Sequence, residues 1–148
     1  MLNFSKHEND RLYTALHESG HAVCARLLGF NVARISIRKE EGADGRCDYD
    51  TSDSLHNDTI LMGGLTACVL YDEIHGTLPF GVLEYHENGA REDIMSTRGP
   101  VEAAYKRARK LLLYGNYDAL ERVTMAVLRS RFGVIVGSEV DRAMRKKS

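Results

Sequence analysis

A chain of 148 residues, 43% hydrophobic and 28% charged, can build one core of ordinary size and is too apolar for a disordered chain. Its formal charge of −1 gives no reason to expect nucleic acid or an anionic membrane surface as the main partner. No apolar run approaches the roughly 18 residues of a membrane span, and the N-terminus lacks a signal pattern. Cys24, Cys47 and Cys68 form an odd set without a CxxC pair, so a cytoplasmic protein in a reducing compartment is expected.

The first predicted element is a helix from about Asn9 to Leu28, capped by Asn9 or Asp10 and closed by Gly29. Leu12, Leu16, Val23 and Leu27 supply its apolar face. Inside it stands His17-Glu18-Ser19-Gly20-His21. Helical residues four apart lie about 40° apart around the axis, so both imidazoles project from one face. That spacing suits two nitrogen ligands of one Zn²⁺. Glu18 falls to the side of the pair, where it can reach a water without filling a coordination site, as a general base should. The pattern points to a zinc-dependent hydrolase of the peptidase kind. Gly20 is costly inside a helix, which suggests close approach of a neighbouring helix.

Val32 to Arg38 alternates, with Ala33, Ile35 and Ile37 expected to face the core of a half-buried strand. A loop over Glu40 to Gly45 and a short strand near Arg46 to Asp50 complete a hairpin. The acidic stretch Asp44 to Asp58 lacks the EF-hand order and reads as a solvated turn. Ser54 to Gly76 reads as a second long helix, capped by Ser52, Asp53 or Ser54, whose Gly63-Gly64 pair has a natural partner in the Gly20 region of the first helix. Thr77 to Asn88 reads as an irregular connection. Gly89 to Ile94 starts a short helix that must stop or kink at Gly99-Pro100. Helices over Val101 to Tyr114 and Asn116 to Arg131 follow, then an extended connection, Phe132 to Val136. Ser138 with Asp141 resembles a capping box for a final helix.

A catalytic zinc needs three protein ligands and a water. The metzincin pattern would place glycine at position 24 and histidine at 27, where this chain has Cys24 and Leu27, so that class is excluded. Cys24 lies roughly 10 Å along the axis from His17, too far for shared ligation, and suits a small buried role. Spacing alone leaves Glu73, His75, Glu84, His86, Glu92 and Asp93 open as the third ligand. His7, His56, His75 and His86 read as surface or structural residues.

The order HESGHAV, VARISI, MGG, GAREDI, followed by AAYKRARKLLLYGNYDALERV and VGSEVDRAM, resembles the metallopeptidase domain of the FtsH-type AAA proteases over roughly residues 10–145. The resemblance implies a mainly α (α+β) fold: a helical bundle carrying the zinc helix, with a small sheet beside the active site, in a single domain. It implies His17, His21 and Asp93 as zinc ligands and Glu18 as the residue that activates water. It also implies that Val32 to Arg38 pairs with extended substrate at the cleft. A polypeptide substrate is expected; a separate ATPase and an oligomer are compatible with it. The chain departs from the family in showing no nucleotide-binding module or membrane anchor, in Cys68 and Leu65 at the family's glutamate and arginine positions, and in a shortened segment after Asp93. The rival reading is a zinc-stabilised, non-catalytic protein-binding module.

Overall fold

The computed structural model describes residues 6–39, 44–76, 86–87 and 89–145. Helix α1 (Lys6–Leu27) runs through the centre of the molecule, and every residue from Glu18 to Ala25 is buried. A helix buried on all sides must be covered by several neighbours. These are α2 (Ser54–His75), α4 (Val101–Leu113), α5 (Tyr117–Arg129), α6 (Gly137–Arg145) and a three-stranded sheet; α3 (Arg91–Ser96) packs on α2. The fold is mainly helical with a small antiparallel sheet, as expected. The helix begins at Lys6, so Asn9 and Asp10 lie within it and not at its start; no breaker stands at residues 6–8.

The close crossing of α1 and α2 is made by small residues. A Cβ on Gly20 would lie 2.2 Å from the Gly63 carbonyl oxygen and 2.7 Å from the Ala67 Cβ. A Cβ on Gly63 would lie 2.8 Å from both Cys24 Sγ and the Gly20 carbonyl oxygen. Without side chains at these points the two backbones meet directly, and the buried thiol of Cys24 fills the adjoining space. Asp53 caps α2 by accepting a 2.8 Å hydrogen bond from His56 N, and Gly76 closes it in the left-handed conformation.

The sheet has the order β2-β1-β3, from β1 (Val32–Ser36), β2 (Arg46–Tyr49) and β3 (Val134–Val136). Ile35 pairs with Cys47 on one side and with Ile135 on the other. Two expectations are corrected here. Strict alternation would bury Ala33, but an irregularity in the β1–β2 register between Val32 and Arg34 resets the phase, so Val32 and Ile35 are buried and Ala33 is exposed. The connection before the last helix contains β3, whose three residues are too few to show a period. It occupies the second edge of β1, so Val32 to Arg38 is the middle strand and not an edge open to substrate.

At α6 the capping box also differs. The helix begins at Gly137, the Glu139 carboxylate accepts from Val136 N, and Asp141 pairs with Arg26 at 2.7 Å. Nearly all of the expected connection over Thr77 to Asn88 lies outside the described residues, as do positions 40–43 of the hairpin loop.

Because the Gly20 contact is with backbone, neither helix can yield by moving a side chain. Gly20→Ala should destabilise the protein near the upper end of the roughly 1–3 kcal/mol typical of overpacking. Alanine returns only about 1 kcal/mol of helix propensity. Chemical denaturation of the two proteins measures the difference; an alanine variant as stable as the parent would show that the helices do not cross this closely.

Candidate metal centre

The crossing that joins α1 to α2 also builds the site. Residues 17, 20, 21 and 24 of α1 face residues 60, 63, 64 and 67 of α2, each stripe following helical spacing. The His17 ring lies over Gly64, where an added Cβ would stand 2.7 Å from the ring atoms Cε1 and Nε2. One turn on, His21 Nδ1 lies 2.7 Å from the Ile60 carbonyl oxygen. A carbonyl only accepts, so Nδ1 carries the proton and Nε2 points towards the site. The two rings meet edge to face with centroids 4.7 Å apart.

Asp93 on α3 completes the group. Its Oδ2 lies 2.8 Å from His17 Nε2 and 3.1 Å from His21 Nε2. The three donor atoms lie within 4.8 Å of one another, the one such group among the described residues. Tetrahedral coordination at about 2.0 Å per bond puts donor atoms roughly 3.3 Å apart, near the 2.8 and 3.1 Å from Asp93 Oδ2 to the two histidines. Two imidazole nitrogens and a carboxylate oxygen, with the Nδ1 of His21 held by a backbone carbonyl, form a donor set that could hold a divalent metal ion.

The electrostatics show what the group does without an ion. Partial burial of Asp93 would raise its carboxyl, but hydrogen bonds from His17 and His21 outweigh that and hold it well below the usual carboxylate range. Burial of His21 disfavours its charge, yet the Asp93 carboxylate, helped by Glu18 and the Ile60 carbonyl, raises it to about 9. A proton therefore sits on His21 Nε2 at neutral pH, in the place a metal ion would take. Glu18 is 7% exposed, and its Oε1 stands 4.0 Å from His21 Nε2, beside the donors but outside hydrogen-bonding reach. Burial pushes the Glu18 carboxyl up, and the histidine charges offset part of this.

The remaining sequence candidates are placed elsewhere. Glu73 pairs with Arg109, His75 with Glu121, and His56 with Asp53. Buried His86 holds Asp72, and Glu92 is exposed. Glu84 lies outside the described residues. Cys68, in the position where the resembled family has glutamate, is buried with its thiol 3.6 Å from the Tyr13 carbonyl oxygen. One turn further along α2, Asp72 is the buried carboxylate of this region; it accepts from Tyr13 Oη at 2.5 Å and pairs with His86 at 2.5 Å.

Sequence reasoning missed Gly45. It brings the start of β2 over α1, since a Cβ there would lie 2.6 Å from Thr14 Cγ2 and 3.0 Å from Glu18 Cγ. A lone glycine after a loop gives no signal of a close approach that depends on a distant helix.

The metal-free protein offers a direct check. His21 gains its raised value from Asp93, so this pairing stabilises the fold below pH 6.5 and loses its effect as pH rises through about 9. In Asp93→Asn the effect of burial is left largely unopposed, and His21 should titrate at or below its ordinary 6.5. Imidazole NMR shifts followed against pH give the value; a variant still titrating near 9 would mean that another group holds the proton.

No protein-family model matches the chain, and no curated protein matches it at a significant level.

Proposed function

We propose that this protein is a zinc-dependent endopeptidase acting on unfolded or flexible polypeptides. The observation that carries the reading is the convergence of His17, His21 and Asp93 donor atoms, with buried Glu18 beside them. The resemblance of HESGHAV and GAREDI to the FtsH-type peptidase domain supports the same assignment. His17 Nε2, His21 Nε2 and Asp93 Oδ2 would hold the ion. Zinc in such a site acts as a Lewis acid on a peptide carbonyl and acidifies water.

Glu18 supplies the proton transfers. Its carboxylate accepts a proton from the attacking water and returns it to the leaving amine nitrogen. Burial, by raising its pKa, makes the protonated form easier to reach than for an exposed glutamate. Ile60 keeps His21 in the tautomer that presents Nε2, and Gly64 leaves room for the His17 ring.

The outer edge of β2 replaces β1 as the strand to receive extended substrate. β2 is an edge of the sheet, and Gly45 at its start lies against Glu18. Main-chain pairing there would bind polypeptides with little regard to sequence. No described helix is long and apolar enough to cross a membrane, and all three cysteines are free. A cytoplasmic setting, with a separate ATPase as a candidate supplier of unfolded chains, accords with both.

Zinc content and cleavage of unfolded fluorescent casein test the proposal together. The wild type should carry one zinc per chain and cleave casein, and Asp93→Ala should lose both. Glu18→Gln should keep its zinc while kcat falls by roughly 10²–10⁴. Zinc without cleavage in the wild type would favour the non-catalytic binding module, and turnover retained by Glu18→Gln would remove Glu18 from its role.

A further inference from the structure

Helix α3 brings the third donor, yet little within it fixes its place. It has six residues, none of them fully buried, and no side chain caps its start. Helices this short do not persist through their own hydrogen bonds. Ile94 is half-buried against the core, while Glu92 and Met95 are exposed. The position of Asp93 must therefore be set from outside the helix.

Two buried aspartates of α2 hold its flanks. On the N-terminal side, Asp72 binds His86, whose carbonyl accepts from Ala90 N at 3.0 Å; Ala90 is itself buried. On the C-terminal side, Asp58 is 3% exposed, its Oδ1 accepts from Arg98 N at 3.0 Å, and its Oδ2 accepts from Gly99 N at 2.8 Å. The two aspartates stand about 21 Å apart along α2, on either side of Gly64, which carries the His17 ring. One rigid helix thus seats His17 and His21 and also ties down both flanks of the segment bearing Asp93.

The two anchors differ in chemistry. His86 can donate or accept through the same nitrogen by changing tautomer, so its contact could adapt to an amide at position 72. Backbone N–H groups can only donate, so the contact at position 58 needs two acceptor oxygens. We propose that Asp58 is a positioning residue for the metal centre: by fixing the amides of Arg98 and Gly99 it holds Asp93 at the distance where it shares an ion with His17 and His21. This rests on the metal-site reading above.

The test uses Co²⁺ as the probe, with affinity and geometry read from its visible absorption and fold stability from denaturation of the metal-free protein. Asp58→Asn presents an amide N–H₂ to one of the two backbone donors. Its affinity for Co²⁺ should fall roughly 10–100-fold, with an altered absorption band. Gly99→Ala is a second route if Asp58→Asn does not fold. Its Cβ would stand 3.1 Å from Asp58 Oδ2 and press on the same contact from the other side, giving a smaller loss in the same direction. A merely structural Asp58 would lower the stability of the metal-free protein while its folded fraction bound Co²⁺ as tightly as the parent, and that result overturns the proposal. Failure of the wild type itself to bind Co²⁺ or Zn²⁺ would instead overturn the metal-site reading.

Discussion

The close approach of α1 and α2 at Gly20 and Gly63 is the constraint on which the rest of the structure depends. Because the backbones touch there, Ile60 and Gly64 are carried to His21 and His17, so that the Ile60 carbonyl orients one ring and the other lies over Gly64. Together with the sheet and the other helices around α1, this contact buries the middle of the helix, including Glu18. Packing and chemistry are not separate layers in this molecule. The spacing that lets the helices meet also decides which imidazole nitrogens face outwards.

The third donor obeys a different logic. His17 and His21 are held by a long, deeply packed helix, whereas Asp93 rides on a helix with no fully buried residue. Its placement depends on polar contacts made by α2 outside α3, at Asp58 and through Asp72 and His86. Buried carboxylates are costly unless fully paired, so they are expected where a definite geometry is needed and apolar packing cannot give it. Cys68 fits this account. The buried acid of this stretch of α2 lies one turn later, at Asp72, where it meets Tyr13 and His86 instead of standing beside the donors.

The sheet shows how a small addition changes a functional inference. With β3 in place, β1 is paired on both edges, and among the described residues β2 and β3 are the outer strands. β2 is brought against Glu18 by a glycine with no side chain to hold the two apart. The strand whose sequence resembles the substrate-pairing strand of the FtsH-type domain is therefore the middle strand of the sheet.

Much was legible in the sequence because it depends on local periodicity. His17, Glu18 and His21 share one turn of one helix, so their relation follows from 3.6 residues per turn and needs no fold. The helical character, the hairpin and the stop of the short helix before Gly99-Pro100 followed from similar local rules, and glycines inside both long helices marked where they come close. Asp93 was reached only through resemblance, since residues 76 positions apart along the chain have no spacing that relates them. Tertiary structure alone decided that Asp93 meets both histidines, that β3 closes the second edge of β1, and that Asp58 and Asp72 hold the flanks of α3. The physical reason is common to all three. Each is a contact between segments remote in sequence, fixed by how helices and strands pack and by where buried polar groups find partners, and neither leaves a period in the chain.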